Sequence, residues 1–512
     1  MRASAKALAR IFTNSHTAAA IAVAESDRNR SELNMSRTTI QQHKQSGKKL
    51  FPPLAQMGIS NSSWQHERLP HMLWATALIA NLPRGDALQI FRNVAEACTA
   101  MPETVYPDVS HYGLAQMPSE YAKRVMTVAA SDPKAKNLLS SILIYDDLPA
   151  KSEWADVLRG AKASHPEMIL MKAVGSTLWH QTQEATDCRW CRMLPPVLTR
   201  RMGMPDNHFR EVVNYPNEGD MKSVRPMIRA EEIGIAAFEG HIGQTEKRAV
   251  WALSFWKQNL HNFPCFALLR DEQIEPKPST TLSRVDEVYS KLIDHNIRTC
   301  TYTGVDAQHD TTFGMAFYGL SIVRELMAVG NSNAVIGRLG LRTLLECFVT
   351  LAYLIHKNNP DLWKSYRVFG AGQAKLSSLK LEELKSDKCF AEVEVLKQIA
   401  NEDIWEEFLP INVGHWEDSS LRRQAVEAGV KADYDKYYSW ASTFAHAHWG
   451  AVRESVFETC GNPLHRLHRV PRPYRKTLQD VLPDACELTD KIIGLLSKLY
   501  PAFPHRITVG SS

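Results

Sequence analysis

The sequence predicts an all-α protein built from two helical domains. Nearly every apolar segment repeats at a spacing of three or four residues, which is the period of one face of an α-helix. No run of alternating β-branched residues is long enough to seed a sheet. A chain of 512 residues exceeds what one hydrophobic core usually organises, so we expect two domains.

Residues 1–47 are predicted to be a disordered or mis-started leader. Their first part is rich in alanine and basic residues, and it has no acidic residue before Glu25. This composition is typical of an amphipathic transit peptide, and the alternative is an over-extended start with Met35 as the true beginning. Too few apolar residues recur at regular spacing here to offset the entropy of ordering the segment.

Residues 48–270 are predicted to form an N-terminal helical domain. Amphipathic segments follow one another here, and the first two, ERLPHMLWATALIANL and RGDALQIFRNVAEACTAM, are separated by a break at Pro83 and Gly85. Residues 271–281 then combine two prolines with charges of both signs. This composition predicts a linker between the domains.

Residues 282–502 are predicted to form a C-terminal helical bundle, followed by a tail at 503–512. Ser283 is the candidate N-cap of its first helix. Long amphipathic helices are expected at 282–298, 306–329, 334–357, 361–380, 388–400, 433–457 and 475–499.

The composition excludes several classes of protein. With 44% apolar and 23% charged residues the chain is typical of soluble globular proteins, and its net charge of +4 is too small to indicate nucleic-acid binding by itself. The longest apolar run, near residues 347–355, falls well short of the ~20 residues of a membrane span. The nine cysteines are scattered and no secretory signal precedes them, which indicates reduced thiols. We therefore expect a cytoplasmic protein without membrane contact.

No cofactor and no metal site is predicted. The chain has no Walker loop, no glycine-rich dinucleotide fingerprint, no GxSxG and no HExxH. Cys188 and Cys191 have the spacing of a zinc knuckle. No second pair completes the four ligands that structural zinc requires.

Two polar stripes on otherwise apolar helices form the candidate site. Ionisable groups on the buried side of a helix are costly unless paired, so such stripes indicate either a structural network or a functional site. The first stripe follows four-residue steps along one helix face and consists of Arg338, Arg342 and Glu346. The second lies on a later helix and consists of Ser439, Ser442, His446 and Arg453.

If the two stripes face each other, they place four candidate catalytic residues together: Arg342, Glu346, Ser439 and His446. His446 would be the general acid or base, Arg342 would stabilise charge, and Glu346 would orient either of them. The aromatic residues around His446 predict a largely buried helix, so its side chain should contact Arg342 or Glu346 directly or through one water. The alternative is an Arg342–Glu346 ion pair with His446 hydrogen-bonded across the bundle, a structural network that only fixes packing.

Two basic segments are candidate phosphate-binding surfaces. The first is a proline-containing loop with His465, His468 and Tyr474, whose ring could stack on a base. Its candidate nucleic-acid-binding residues are Arg466, Arg469, Arg472 and Arg475. The second segment lies beside Trp190 and contains Arg189, Arg192, Arg200, Arg201 and Arg210. The alternative for both is that they are ordinary surface arginines.

Several segments resemble a group of uncharacterised bacterial two-domain proteins over about residues 48–500. They are NSSWQHERLPHMLWATALIANLPRGDALQIFRNVAEA, DCRWCRML, NYPNEGDMKSVRPMIRAEE and, in the second half, RTLLE and YYSWASTFAHAH. The C-terminal domain of that group has no known function and is similar to HEPN-like helical domains. The resemblance implies an RNA-cleaving or nucleotide-handling part of a toxin–antitoxin or antiviral system.

The chain departs from the HEPN ribonuclease pattern in one respect. Catalytic members carry an arginine, usually followed by a polar residue, and then a histidine four to six residues further on. Such spacings occur here at residues 37–43, 159–165 and 201–208, but as many are expected by chance and none lies in the C-terminal domain. This departure puts ribonuclease activity in doubt.

We expect a bacterial stress or antiviral-defence effector that acts on RNA or a nucleotide through its C-terminal helical domain. The alternative is a non-catalytic helical scaffold that docks a protein partner or a second copy of the chain. The two differ in one measurable respect. Substitution of His446 or Arg342 should abolish the function of an enzyme without lowering its thermal stability.

Overall fold

The protein is all-α, as the sequence predicts, and about 69% of it is helical. The structure is a computed structural model that describes residues 41, 43–51, 63–241, 245–266, 280–301, 305–384, 390–466, 468–471 and 478–508, without the side chains of 236–247. The chain divides into two compact units. Unit 1 comprises Met1–Asp271 and Thr459–Val470, and unit 2 comprises Glu272–Glu458 and Pro471–Ser512.

After most of unit 2, the chain comes back to unit 1 at Thr459–Val470, which we call the return segment. A division of the chain at a single linker does not include this segment. The predicted linker lies outside the described residues except for Thr280 and Thr281. Most of the predicted leader also lies outside them. The sequence-based domain boundaries therefore stay predictions.

Helices build the described part of unit 1. In chain order they are α1 (Leu69–His71), α2 (Leu73–Asn81), α3 (Arg84–Thr99), α4 (His111–Gln116), α5 (Ser119–Ala129), α6 (Pro133–Leu139), α7 (Lys151–Val157), α8 (Pro166–Thr177), α9 (Gln183–Leu198), α10 (Asp206–Val213), α11 (Met221–His241) and α12 (Thr245–Asn262). A π-helical turn at Trp64–Arg68 precedes α1. The described part of the unit also has 3₁₀ turns at Ser140–Ile144 and Pro463–His465.

Helices α2 and α9 occupy the core of unit 1. Helix α2 packs against α8 and α9, and α9 also packs against α3 and α11. Leu73, Trp74 and Leu78 of α2 are fully buried, and the helix is apolar around its whole circumference, as expected for a helix surrounded by others. Helix α9 is buried along almost its whole length although it carries arginines, and these arginines have partners inside unit 1.

The described part of unit 2 is a second set of helices. They are α13 (Leu282–Thr299), α14 (Ala307–Val329), α15 (Val335–Lys357), α16 (Pro360–Leu384), α17 (Val393–Ala400), α18 (Leu421–Glu427), α19 (Lys431–Ala445), α20 (Trp449–Val456) and α21 (Leu482–Leu499), with a 3₁₀ turn at Glu406–Phe408. Helix α15 is central and packs against α14, α18, α19 and α21.

The helix predictions for unit 2 agree closely with α13 to α16, but α17 and α21 begin later than predicted, at Val393 and Leu482, and α18 was not predicted. Two further details differ. The N-cap of α13 is Thr281, whose hydroxyl accepts from the backbone N–H of Arg284, and is not Ser283. The predicted single helix at 433–457 is wrong, because α19 and α20 are separated by a turn in which Ala447 adopts a φ of 47°.

One helix of the described residues, α14, is long and apolar enough to cross a membrane by length and composition alone. This is weak evidence, because core helices pass the same test. Ala316, Leu320 and Val323 of α14 are fully buried in the hydrophobic core of unit 2. Packing against that core accounts for the apolar character of the helix.

The described residues contain four short strands in two pairs. Strand β1 (Lys44–Ser46) pairs antiparallel with β2 (Lys49–Phe51), so the predicted boundary between leader and domain falls inside a hairpin. Strand β3 (Phe457–Thr459) pairs with β4 (Arg469–Pro471). The segment between β3 and β4 belongs to unit 1.

Candidate functional site

The predicted polar stripe of α15 lies along the contact between α15 and α19. Nε of Arg342 donates to Oε1 of Glu346 at 2.9 Å, and the Arg342 guanidinium lies 5.7 Å from the centre of the Tyr438 ring. One turn earlier on α15, Arg338 lies 5.8 Å from the centre of the Phe444 ring. Later residues of α15 thus meet earlier residues of α19, so the two helices run antiparallel.

Arg338 has a structural role in unit 2. Its side chain is buried, and its guanidinium donates to the backbone carbonyls of Ser332 and Ala334, both at 3.2 Å, and of Gln479. These hydrogen bonds fasten the beginning of α15 to the segment that precedes α21. The guanidinium is therefore committed to backbone partners.

His446 lies outside the contact between α15 and α19. Helix α19 ends at Ala445, so His446 is on the following turn, and its side chain is exposed. The side chain of Ser439 is exposed as well. None of the hydrogen bonds or ion pairs in the described part of the chain joins His446 to Arg342 or Glu346, so the expected buried contact is wrong. The catalytic roles of these four residues stay predictions.

An exposed surface of aromatic and basic residues lies at the turn between α19 and α20. We call it the α19–α20 corner, and it consists of Trp440, His446, His448, Trp449 and Arg453. The Trp440 and Trp449 side chains are 54% and 62% exposed, so the expectation that aromatic residues bury this part of the chain is wrong. Between them in sequence, the rings of His446 and His448 lie 5.8 Å apart and are both exposed.

Backbone contacts fix the shape of the α19–α20 corner. The N–H of His448 donates to the carbonyl of Thr443 at 2.9 Å, and Ala447 adopts the left-handed conformation that commonly ends a helix. The ring of Trp440 lies against Gly450, where a Cβ atom would come within 3.1 Å of the indole. Glycine permits this close approach, which places the exposed indole of α19 on the first turn of α20.

The first basic segment is only partly described. Arg466 lies over the ring of Trp256 at 5.5 Å, and its partial burial lowers the pKa of the guanidinium. Arg469, on β4, donates to the hydroxyl of Thr459. Outside the described residues lie Arg472, Tyr474 and Arg475. Nucleic-acid binding by these arginines stays a prediction.

The prediction that the second basic segment is a phosphate-binding surface is wrong for Arg189 and Arg192, because both lie in the core of unit 1. Their side chains are 1% and 3% exposed. Glu232 on α11 is fully buried between them. Its Oε1 accepts from Arg192 Nη1 at 2.8 Å, and its Oε2 lies 3.7 Å from Arg189 Nε and pairs with Arg68.

These charges extend into a larger network that we call the charged core. It consists of Arg68, Asp108, Arg189, Arg192, Glu232 and Arg248. Oδ2 of Asp108 accepts from Nη2 of Arg248 at 2.7 Å, and Oδ1 of Asp108 lies 3.5 Å from Nε of Arg192. Burial alone would raise the pKa of Glu232, but its arginine partners hold this pKa below its usual value. The ion pairs of the network lie inside unit 1, where the arginines share the two buried carboxylates, and this indicates a structural role.

Two cysteines and two histidines of unit 1 converge at one point. We call this set the Cys2His2 cluster, and it consists of Cys265, Cys460, His465 and His468. Their ligand atoms all lie within 4.8 Å of one another. Sγ of Cys265 lies 3.6 Å from Nδ1 of His465 and 3.3 Å from Nε2 of His468, and Sγ of Cys460 lies 3.4 Å from Nδ1 of His465.

Hydrogen bonds join the two stretches of chain that carry the Cys2His2 cluster. The side-chain amide of Asn462 donates to the carbonyl of Pro264 at 2.9 Å, and the N–H of Gly461 donates to the carbonyl of Phe266 at 2.8 Å. Asn462 is fully buried and also caps the 3₁₀ turn that ends at His465. The return of the chain thus brings Cys460, His465 and His468 to Cys265, three residues after the end of α12.

The sequence does not predict this cluster, because one of its four residues lies about 200 positions away from the others. Cys188 and Cys191, the pair with the spacing of a zinc knuckle, are fully buried in α9, and burial raises the pKa of both thiols well above the usual range. The available local signal was the spacing C-x4-H-x2-H from Cys460. Cys265 lies 200 residues before His465, and no local motif reveals a ligand at that distance.

Comparison with known proteins gives one match. Residues 331–462 match a family of unknown function, DUF5677. This region runs from just before α15 to the first residues of the return segment, and it covers less than half of the chain. No curated protein and no solved structure matches the chain. The match fits the expectation of an uncharacterised protein with a C-terminal domain of unknown function.

Proposed function

We propose that unit 2 binds single-stranded RNA or a nucleotide at the α19–α20 corner, as part of a bacterial stress or antiviral response in the cytoplasm. The observation that carries the proposal is the placement of two exposed indoles, Trp440 and Trp449, beside two exposed imidazoles. The resemblance to HEPN-like domains supports the same class of ligand. The corner also lies within the region that matches the family of unknown function.

The chemistry of the corner suits an unpaired base and its phosphate. Every nucleobase has a face that can stack on an indole, and such stacking is worth about 1–3 kcal/mol per base. Arg453 lies one helical turn after Trp449, on the same face of α20, and its guanidinium can pair with a phosphate. Histidine is the side chain whose ordinary pKa lies nearest to neutral pH.

His446 and His448 could together cleave an RNA strand. One imidazole would accept the proton of a ribose 2′-hydroxyl as that oxygen attacks the neighbouring phosphorus. The other would donate a proton to the departing 5′ oxygen, leaving a 2′,3′-cyclic phosphate. The predicted roles of Arg342 and Glu346 would then be indirect, because they position α19 through Tyr438. Exposed Ser439 lies on the same helix.

Binding of a labelled single-stranded RNA, measured by fluorescence anisotropy at low salt, tests the proposal. Trp449→Ala should weaken binding about 5- to 150-fold, the loss of one stacked base. The matched control is Trp405→Ala, because Trp405 is also exposed in unit 2 but lies outside the corner. Absence of RNA binding by the wild-type protein, or an equal loss in both variants, would refute the proposal.

Cleavage is tested separately on a denaturing gel. His446→Asn should stop cleavage while RNA binding and thermal stability stay close to wild type. The control is His356→Asn, another exposed histidine of unit 2. An RNA that is bound but never cleaved would leave unit 2 as a binding protein and remove the catalytic roles.

Docking of a protein partner is a second candidate function. The specific observation is that Trp440, Trp449 and Val456 expose large apolar side chains near one another in sequence, and interfaces are enriched in such aromatic anchors. A Trp449→Ala variant that binds RNA like the wild type but loses activity in cells would favour this candidate.

A further inference from the structure

We propose that the Cys2His2 cluster of unit 1 binds one Zn²⁺ ion as a structural site. In a tetrahedral zinc site with Zn–S near 2.3 Å and Zn–N near 2.0–2.1 Å, neighbouring ligand atoms lie about 3.3–3.8 Å apart. Three of the four sulfur–nitrogen distances of the cluster are 3.3, 3.4 and 3.6 Å, and all ligand atoms lie within 4.8 Å of one another. These three pairs therefore have the spacing that one ion requires, and the four ligand atoms surround a single point.

The hydrogen bonds of His465 determine which of its nitrogens faces the ion. Nε2 lies 3.2 Å from the carbonyl oxygen of Asn259 and 3.1 Å from that of Phe263. A carbonyl oxygen only accepts, so Nε2 carries the proton and Nδ1 directs its lone pair into the cluster. A histidine that binds zinc through one nitrogen commonly donates the other N–H to a carbonyl, which fixes the ring and raises its basicity.

The surroundings of the two sulfur atoms also suit a bound thiolate. The backbone N–H of Asn462 points at Sγ of Cys460, 3.4 Å away, and such a donor stabilises negative charge on sulfur. Cys460 and His465 are buried, whereas Cys265 is exposed and gives the ion a route of entry. Two sulfur and two nitrogen donors in tetrahedral arrangement are the usual ligands of zinc.

All four positions come from the protein, which is typical of structural rather than catalytic zinc. The ion would join Cys265 to residues about 200 positions further along the chain. It would thereby hold the return segment Thr459–Val470 in unit 1. Because no short stretch of sequence carries all four ligands, the site forms only when unit 1 has folded, and zinc binding should stabilise that folded state.

Metal analysis of the full-length protein tests the site. The protein, purified under reducing conditions and incubated with Zn²⁺, should retain one zinc per chain after removal of loosely bound metal. The Co²⁺-substituted protein should show the visible absorption of tetrahedral cobalt with thiolate ligands. Cys265→Ser should weaken zinc binding by more than about tenfold, since loss even of an outer partner of a ligand costs that much. This variant changes an exposed side chain, so misfolding is a small risk.

Cys300→Ser is the matched control, because Cys300 is exposed but lies outside the cluster. It should bind zinc like the wild type. Chelation of the ion should also increase amide hydrogen exchange in the return segment, a change independent of any activity of unit 2. The proposal is overturned if the wild type retains no zinc, if both variants bind zinc equally well, or if a Cys265–Cys460 disulfide persists under reducing conditions.

Discussion

In unit 1, Glu232 is fully buried among arginines that come from other elements, whereas in unit 2 Glu346 pairs with an arginine of its own helix and keeps 41% of its side chain exposed. Both carboxylates lie on helices whose neighbouring residues repeat with the same apolar spacing. The two carboxylates differ in whether their arginine partners lie on other elements or on the same helix. Glu232 is buried where other elements bring arginines to it, whereas Glu346 pairs within its own helix and stays partly exposed.

This difference separates structural charges from accessible ones. Removing one member of a buried ion network leaves the others desolvated and unpaired, so such residues should matter for stability. A partly exposed pair within one helix contributes little to stability. Arg342 and Glu346 are therefore free to change partners, whereas the members of the charged core are not.

The largest expected effect is that of Glu232→Gln. The substitution removes the carboxylate that compensates Arg68 and Arg189 and one of the two that Arg192 contacts, and we expect a loss of about 3–5 kcal/mol in the free energy of unfolding. The matched substitution Glu346→Gln in unit 2 should cost less than about 1 kcal/mol. Urea denaturation followed by circular dichroism measures both, and similar losses in the two variants would contradict the comparison.

The second effect is a loss of stability in acid that is caused by two buried histidines, His71 and His111. Burial lowers the pKa of His111 to about 3, and burial together with the nearby charge of Arg248 lowers that of His71 to about 3. The unfolded chain takes up protons on these residues below about pH 6.5, while the folded chain does so only near pH 3. Stability is therefore complete above about pH 6.5 and falls on acidification, by about 1.4 kcal/mol per pH unit for each histidine.

The variant His111→Phe tests this pH dependence. It keeps an aromatic ring between Trp154 and Trp251 and removes one of the two depressed titrations. Between pH 7 and pH 5, the variant should lose about 2 kcal/mol less in its free energy of unfolding than the wild type. Equal acid-induced losses in the two proteins would mean that His111 is not responsible.

The smallest effect is the coupling between Arg342 and Glu346. A double-mutant cycle with Arg342→Gln and Glu346→Gln should give a coupling of about 0.3–0.5 kcal/mol, which is usual for an ion pair four residues apart on a helix. Added salt should reduce it further. A coupling of about 2 kcal/mol or more would show that this pair is as structural as the charged core.

The sequence predicted the fold class, the central helices of unit 2 and the pairing of Arg342 with Glu346. These features depend on residues close together in the chain, since helical periodicity and the four-residue step are local. The limits of prediction appear at His446. No proline or glycine interrupts the segment from Tyr437 to Trp449, so the sequence indicates a continuous helix, yet the chain turns at Ala447.

The sequence by itself therefore determined that this is a helical protein and where most of its helices run. Tertiary structure alone decided which polar residues meet. The arginines of α9 look like a basic surface until Glu232 is brought to them, and Cys265 has no visible partner until the chain returns 200 residues later. The physical reason is that burial and coordination depend on neighbours in space, and spacing along the chain specifies neighbours only within a few turns of one helix.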